Sequence, residues 1–302
     1  MTQARQEFIL AQQRMLERYE VTAQSRFVDV ASINGKAHVL VTGDGPAVVM
    51  VAGIGTPGSI WAPLAAHLGG FRLFLVDLPG YGLTDTTDDF AGNLRQGAVG
   101  FLEELLDGLE LDAPHFVANS LGSLWTMWLA LDRPARAARM VHVGCPGVIL
   151  GSSAPLQMRL LSVKPVGRFL TWLQPPSGSQ VEQLSRMVNE HPLAPELADL
   201  LLATERLAGF REMFLATLHV LLRLRGSRPE LRLSAGQLAQ IHQQTLLVWG
   251  EDDPFGSAEV GEQVASAMPT AELIPIAGGH APWLSKAEQI GPSIVDFLRR
   301  DT

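Results

Sequence analysis

The sequence contains a single cysteine, Cys145, among its 302 residues. One cysteine cannot form a disulfide within the chain, and the cysteine and histidine positions show no spacing typical of a structural zinc site. These absences exclude a disulfide-stabilised scaffold and a zinc module. A protein without disulfides is expected in a reducing compartment, and we predict a cytoplasmic location.

Long hydrophobic runs and excess positive charge are also missing. No stretch approaches the roughly 20 apolar residues that a membrane-spanning helix needs, and residues 1–20 carry charges throughout, unlike a signal peptide. Lys and Arg total 23 against 31 Asp and Glu, which gives a net charge of -8. We therefore expect a soluble protein that does not bind nucleic acid.

Short apolar segments alternate with helical segments along most of the chain. Segments 48–51 and 246–249 are continuously apolar, as expected for parallel strands covered by helices on both faces. The first two strand candidates alternate better, which favours antiparallel pairing. The pattern predicts an α/β fold with an eight-stranded, mostly parallel sheet flanked by helices, its strands at 26–33, 36–42, 47–52, 71–77, 115–119, 139–143, 245–249 and 272–276.

The strand pattern disappears between residues 147 and 240, where leucine-rich helical periodicity and repeated prolines replace it. We interpret this stretch as a helical cap domain inserted after the sixth strand. Residues 1–146 and 241–302 would then form the core domain.

The sharpest local motif is Val117-Ala118-Asn119-Ser120-Leu121-Gly122-Ser123, in which an apolar strand ends at a serine and a helix follows. Small residues around a serine permit a tight strand-to-helix turn that exposes the hydroxyl, which is the geometry of a nucleophile elbow. The full pattern is Gly-x-Ser-x-Gly, and Ala118 replaces its first glycine. The alternative is a serine that caps a buried helix.

Two further motifs follow predicted strands near the end of the chain. The first is Trp249-Gly250-Glu251-Asp252-Asp253-Pro254, which follows an apolar strand and offers a carboxylate on a strand-end loop. We favour Asp253 over Asp252. The second is Ala277-Gly278-Gly279-His280, in which glycines allow the histidine to approach a neighbour. This context singles out His280 among the eight histidines.

The order Ser120, Asp253, His280 on successive strand-end loops resembles the α/β-hydrolase superfamily, whose catalytic triad runs serine, acid, histidine. The segment Asp77-Leu78-Pro79-Gly80-Tyr81-Gly82-Leu83-Thr84 looks like the Asp-x-x-Gly-x-Gly-x-Ser/Thr turn of the same family. The resemblance covers nearly the whole chain. It implies that His280 takes the proton of Ser120, that Asp253 orients His280, and that no metal or organic cofactor is needed.

The resemblance also implies an oxyanion hole built from two backbone N–H groups. One would come from Leu121, directly after the serine, and the other from Ile54, in the loop after the third strand. Many relatives have His-Gly at this loop, whereas this chain has Ala52-Gly53. The backbone donor is kept, and any role of the histidine side chain is lost.

The sequence favours a small-molecule substrate, and we predict a carboxylesterase that acts on a small, mainly apolar ester. The elbow serine disfavours dehalogenases and epoxide hydrolases of this superfamily, which need an aspartate there. The predicted cap is rich in apolar side chains, which suits an apolar acyl or alcohol group.

One alternative is a carbon–carbon bond hydrolase that cleaves ring-opened dienoates, because Asn119 and the segment 205–211 resemble that group. Arg206 would hold a substrate carboxylate, with Asn119, Phe210 and Trp283 as further substrate contacts. The family's tryptophan directly after the catalytic histidine is replaced here by Ala281, with Trp283 two positions later, a departure that weakens this alternative. The other alternative is a lyase or a binding protein on the same fold.

Overall fold

The computed structural model describes residues 2–87 and 89–300, and in them it contains one eight-stranded sheet with the order β1-β2-β4-β3-β5-β6-β9-β10. Strands β7 and β8 form a separate hairpin. The strands are β1 (Gln24–Val30), β2 (Gly35–Thr42), β3 (Ala47–Val51), β4 (Arg72–Val76), β5 (His115–Ala118), β6 (Met140–Val143), β7 (Leu222–Arg223), β8 (Gly226–Ser227), β9 (Thr245–Gly250) and β10 (Ala271–Ile276).

Helices flank this sheet and fill the segment between β6 and β9. They are α1 (Gln3–Arg18), α2 (Ala62–Ala65), α3 (Leu94–Gly108), α4 (Ser120–Asp132), α5 (Leu156–Leu161), α6 (Lys164–Leu173), α7 (Gly178–Met187), α8 (Pro195–Glu205), α9 (Phe210–Leu221), α10 (Ala235–Leu238), α11 (Ala258–Ala267) and α12 (Trp283–Arg299). Within the described ranges, no helix is long and apolar enough to span a membrane.

The direction of the strands follows the predicted pattern. The pairings β1–β2 and β2–β4 are antiparallel, and every other neighbouring pair in the eight-stranded sheet is parallel. The fold prediction is therefore confirmed. The hairpin of β7 and β8 was not predicted, because two-residue strands are too short to show a periodic pattern.

Two hydrophobic clusters lie on opposite faces of the sheet. In β3, Val49 and Val51 belong to one cluster, and Val48 and Met50 belong to the other. Successive side chains of a strand point to opposite faces, so a strand buried on both faces must be apolar at every position. Helices α3 and α4 contribute to the first cluster, and α1, α2 and α12 contribute to the second.

Two of the contacts between the helical segment that joins β6 to β9 and the rest of the chain are made by α8 and α9. Helix α8 packs against α1, where Arg14 and Asp199 form an exposed ion pair of 3.3 Å. Helix α9 lies over the loops that follow β3 and β4, and its Phe210 ring is 5.7 Å from the Tyr81 ring between centroids. The segment therefore extends over the carboxyl ends of two central strands.

Glu205, the last residue of α8, has a carboxyl group whose pKa reports on the packing of this helix. Burial raises the pKa of its carboxyl group from 4.5 to about 7, and no cation or hydrogen-bond donor pairs with it among the described residues. A group with a raised pKa loses its contribution to stability as the pH rises through the folded value.

We therefore expect Glu205→Gln to stabilise the protein at about pH 8, by on the order of 2 kcal/mol, and to have little effect near pH 5. Urea denaturation at a series of pH values measures the difference. Equal effects of the substitution at both pH values would contradict the assignment of a half-buried, unpaired carboxyl group.

Candidate active site

Ser120 occupies a strained turn between β5 and α4. Its φ of 51° lies in the left-handed region, which costs energy for a residue other than glycine. The preceding strand ends at Ala118, and Ser120 is the first residue of the helix. Within the described residues, the Ser120 hydroxyl has no hydrogen-bond partner. This backbone conformation is the one that a nucleophile elbow requires.

Glycines let the neighbouring loops approach this turn closely. A Cβ atom on Gly122 would lie 2.2 Å from the carbonyl oxygen of Val51 and 2.6 Å from that of Ala52. A Cβ atom on Gly53 would lie 3.2 Å from Cβ of Ser120. The turn therefore packs against the end of β3 without room for side chains, which explains the second glycine of the motif.

His280 and Asp253 are joined by a buried hydrogen bond. The distance from His280 Nδ1 to Asp253 Oδ2 is 2.8 Å, and the two residues are 6% and 4% exposed. The Phe255 ring lies beside the imidazole, at 4.2 Å between ring centroids. Because Nδ1 faces the carboxylate, Nε2 is the nitrogen left free to exchange a proton with a substrate or a nucleophile.

The Asp253 carboxylate accepts two further hydrogen bonds, both from backbone N–H groups. Cys145 donates to Oδ2 at 2.8 Å, and Phe255 donates to Oδ1 at 2.9 Å. A buried carboxylate with several donors is held in one orientation. The neighbouring Asp252 is exposed. The structure thus pairs His280 with Asp253.

Asn119 connects the serine turn to the histidine loop. Its side-chain amide donates to the carbonyl oxygen of Val143 at 2.7 Å and to that of His280 at 3.0 Å. These bonds link the loops that follow β5, β6 and β10. Both amide hydrogens are used within the protein, so Asn119 holds the site together, and only its oxygen remains for the predicted substrate contact.

The two candidate oxyanion donors flank the serine turn. Leu121 is the second residue of α4, and Ile54 follows Gly53 in the loop after β3. In the described ranges, neither backbone N–H donates a hydrogen bond to the protein. Both N–H groups are therefore free to donate to an oxyanion. The N–H of Leu121 also lies at a helix start, where the helix dipole favours negative charge.

The three remaining predicted substrate contacts have different surroundings. Phe210 stacks on Phe214, and both rings lie within 3.4 Å of the position that a Cβ on Gly55 would take. Gly55 directly follows Ile54, so Phe210 lies beside the candidate oxyanion loop, where a substrate contact is possible.

Arg206 and Trp283 lie elsewhere. The Arg206 side chain is 48% exposed and faces Glu7 of α1 at 3.9 Å, so it points toward the N-terminal helix. Trp283 is buried, stacks on Trp61 at 4.3 Å and donates its Nε1 hydrogen to Ile60. These placements argue against the two predicted substrate contacts, because one side chain is in solvent and the other is part of the core.

A second Ser–His–Asp arrangement lies on the antiparallel side of the sheet. His38 Nδ1 is 2.7 Å from Asp77 Oδ2, and His38 Nε2 is 2.7 Å from the hydroxyl of Ser25. Asp77 also accepts from the backbone N–H groups of Gly58 and Leu83. Ser25 lies within a strand and has negative φ, unlike Ser120. This network fixes the glycine turn after β4.

Sequence reasoning missed the carboxylate of Glu190, which contacts the histidine loop from the segment between α7 and α8. No local pattern marks this residue, since it is one acid in a helical stretch without a motif. In residues 2–87 and 89–300, no three His, Cys, Asp or Glu side chains are grouped so that they could hold a metal ion.

Residues 48–290 match the sequence model of the alpha/beta hydrolase family. This range covers most of the chain, from β3 into α12, and it includes both loops of the His280–Asp253 pair. The chain belongs to the alpha/beta hydrolase family. The family assignment made from the three loop motifs is confirmed.

Two curated relatives are similar over nearly their whole length. The 2-hydroxy-6-oxo-6-phenylhexa-2,4-dienoate hydrolase of Burkholderia cepacia is 28% identical over 278 residues, which is 88% of this chain and 92% of the relative. A 2-hydroxy-6-oxononadienedioate/2-hydroxy-6-oxononatrienedioate hydrolase of Cupriavidus pinatubonensis is 29% identical, over 91% of this chain and 95% of the relative.

Solved structures share the fold. Carboxylesterase CesB from Bacillus subtilis has a TM-score of 0.79 at 18% identity, with 100% of both chains covered. The 2-hydroxy-6-oxo-6-phenylhexa-2,4-dienoate hydrolase from Rhodococcus sp. strain RHA1 has a TM-score of 0.73 at 20% identity, and the match covers 92% of this chain and 100% of that one.

The close approach at Gly122 predicts that its replacement is damaging. We expect Gly122→Ala to destabilise the protein by about 3 kcal/mol, because the new methyl group overlaps the carbonyl oxygens of Val51 and Ala52. Chemical denaturation measures the loss. Gly236→Ala is the matched control, since a Cβ there meets nothing within 4 Å. Equal stability of the two variants would contradict the packing.

Proposed function

We propose that this hydrolase uses Ser120, His280 and Asp253 as a catalytic triad to cleave a carbon–carbon bond in a ring-opened, dienoate-type diketone. The hydrogen-bonded His280–Asp253 pair supports the triad. The names of the curated relatives support the substrate class, because they describe hydrolases of 2-hydroxy-6-oxo-dienoates. This proposal replaces the ester preference drawn from the sequence as the leading hypothesis.

In this mechanism His280 is the general base. The Asp253 carboxylate holds the Nδ1–H of the imidazole, so Nε2 accepts the proton of Ser120 as the serine oxygen attacks the ketone carbon. Asp253 also stabilises the imidazolium that forms. The Leu121 and Ile54 N–H groups donate to the oxyanion.

Bond cleavage then requires a stabilised carbanion. The 2-hydroxy dienoate first tautomerises: the hydroxyl proton moves to carbon 5 and carbon 2 becomes a ketone, on whose oxygen the electron pair of the broken bond delocalises. The bond between the ketone carbon and its neighbour breaks, and the dienolate fragment takes the proton from His280. Water hydrolyses the acyl-enzyme, which releases the acid and restores the Ser120 hydroxyl.

Carboxylic ester hydrolysis is the second candidate, and the placement of two arginines favours it. A dienoate carries a carboxylate that needs a cation. The Arg206 and Arg211 side chains are 48% and 53% exposed and face Glu7 and Glu212. An ester with apolar groups needs no such cation, and the aromatic side chains of α9 suit it.

We further propose that residues 147–240 act as a cap domain over the core formed by residues 1–146 and 241–302. The contact of α9 with the loops after β3 and β4 supports this role. Substrate would then lie between the Phe210 ring and the Ser120 turn.

A paired substrate assay tests the proposal. Turnover of 2-hydroxy-6-oxo-6-phenylhexa-2,4-dienoate is compared with turnover of p-nitrophenyl esters from acetyl to dodecanoyl. We expect a higher kcat/KM for the diketone, and complete loss of both activities in Ser120→Ala. Faster ester turnover that also depends on Ser120 would establish the second candidate instead.

Reaction with a fluorophosphonate probe separates an enzyme from a binding protein or from a lyase that does not use the serine. We expect labelling of the wild-type protein, its loss in Ser120→Ala, and its retention in the matched control Ser25→Ala. Labelling that survives Ser120→Ala would overturn the assignment of the nucleophile.

The acid is tested with Asp253→Asn. An asparagine amide cannot hold the imidazole in the required tautomer and does not stabilise its cation, so we expect kcat to fall by about 10⁴-fold. Circular dichroism checks that the fold is retained. Asp252→Asn is the matched control and should leave kcat unchanged, whereas a large loss in that variant alone would move the role to Asp252.

A further inference from the structure

The segment Val188–Glu190, which we call the strap, lies against two of the three loops of the proposed triad, those that carry Asp253 and His280. It forms the first part of the connection between α7 and α8 within the helical segment. The His280 N–H donates to the carbonyl oxygen of Val188 at 2.9 Å, and the Asn189 side chain donates to the carbonyl oxygen of Asp252 at 2.7 Å. The strap therefore bridges the loops that follow β9 and β10.

Glu190 makes the most specific contact of the strap. One carboxylate oxygen, Oε1, accepts from the N–H of Gly279 at 3.1 Å and from the N–H of Ala281 at 3.0 Å. These two N–H groups belong to the residues on either side of His280. Glu190 is only 6% exposed, so both bonds are shielded from water and are stronger than they would be at the surface.

The Glu190 carboxylate is hydrogen-bonded to backbone N–H groups and forms no ion pair with a lysine or arginine side chain of the described residues. Burial and the nearby Asp253 carboxylate raise the pKa of the Glu190 carboxyl group, while the two backbone N–H groups and His280 lower it, and the net direction is a rise. A buried carboxylate costs free energy unless its oxygens are hydrogen-bonded. The hydrogen bonds to the His280 loop therefore offset the cost of burying Glu190.

The main chain around His280 is held from two directions. The strap bonds the N–H groups of Gly279, His280 and Ala281, and Asn119 donates to the His280 carbonyl. With the backbone fixed, the direction of the imidazole depends on few remaining torsions. A small displacement of this backbone would move the ring away from Asp253, and misplacement by about 1 Å can cost about 10²-fold in rate.

We propose that Glu190 is a positioning residue, which holds the loop so that His280 stays aligned between Asp253 and the nucleophile. The inference rests on the proposed triad. The helical segment would then contribute to catalysis apart from substrate binding, because Glu190 holds the backbone on both sides of His280.

Two substitutions separate the reach of the side chain from its charge. Glu190→Asp keeps the charge and shortens the side chain, so the carboxylate can no longer reach both N–H groups. Glu190→Gln loses the charge and keeps an oxygen at the original distance. The rate of fluorophosphonate labelling, divided by the fraction of folded protein, is measured for each variant and for the wild type.

We expect Glu190→Asp to slow labelling by about 10-fold or more and Glu190→Gln to stay within about threefold of the wild type. Labelling of Glu190→Asp at the wild-type rate, or a larger loss in Glu190→Gln than in Glu190→Asp, would overturn the proposal. The first outcome means that the contact does not control the base, and the second means that charge matters more than reach.

The low-field proton NMR signal of the His280–Asp253 hydrogen bond gives a direct readout of alignment. It is identified by its absence in Asp253→Asn. We expect it to weaken or shift in Glu190→Asp and to remain in Glu190→Gln, whereas a residue that only stabilises the fold would leave it unchanged in folded protein. An unchanged signal in Glu190→Asp would contradict the proposal.

Two controls keep this test separate from that of the proposed function. Glu182→Ala changes an exposed acid of α7 that pairs with Arg186, and it should label at the wild-type rate. Ser120→Ala tests the nucleophile itself. If Ser120→Ala is not labelled and Glu190→Asp is labelled at the wild-type rate, the role of Glu190 is rejected and the triad is retained.

Discussion

The carboxylate of Asp253 is the group on which the candidate site depends. It accepts hydrogen bonds from Cys145, Phe255 and the His280 ring, and these residues follow β6, β9 and β10. Three loops are therefore joined at one buried acid. The parallel sheet makes this possible, because the carboxyl ends of its strands lie along one edge and the loops that leave them are neighbours.

The site combines two kinds of constraint. Close backbone approach fixes the serine turn, since Gly122 and Gly53 leave no room between α4 and the end of β3. Buried polar contacts fix the histidine loop, through Asn119 on one side and the strap with Glu190 on the other. The first constraint comes from the core alone, whereas the second requires the helical segment. We therefore expect removal of that segment to affect the His280 loop more than the Ser120 turn.

Similarity and geometry point to different substrates for the same site. The curated relatives favour a dienoate-type diketone, whereas the exposed positions of Arg206 and Arg211 favour an uncharged ester. Both reactions begin with attack of a serine on a carbonyl carbon and use the same base and oxyanion donors. The difference lies in what holds the rest of the substrate, and that depends on side chains of the helical segment.

The sequence by itself determined the sheet, the direction of its strands and the candidate residues Ser120, Asp253 and His280, because periodicity and glycine-rich turns are local signals. The tertiary structure decided which aspartate meets His280, and it placed Trp283 in the core and Arg206 in solvent. It also revealed Glu190. These outcomes depend on contacts between residues far apart in the chain: Glu190 and Ala281 are 91 positions apart, and no local pattern records their approach.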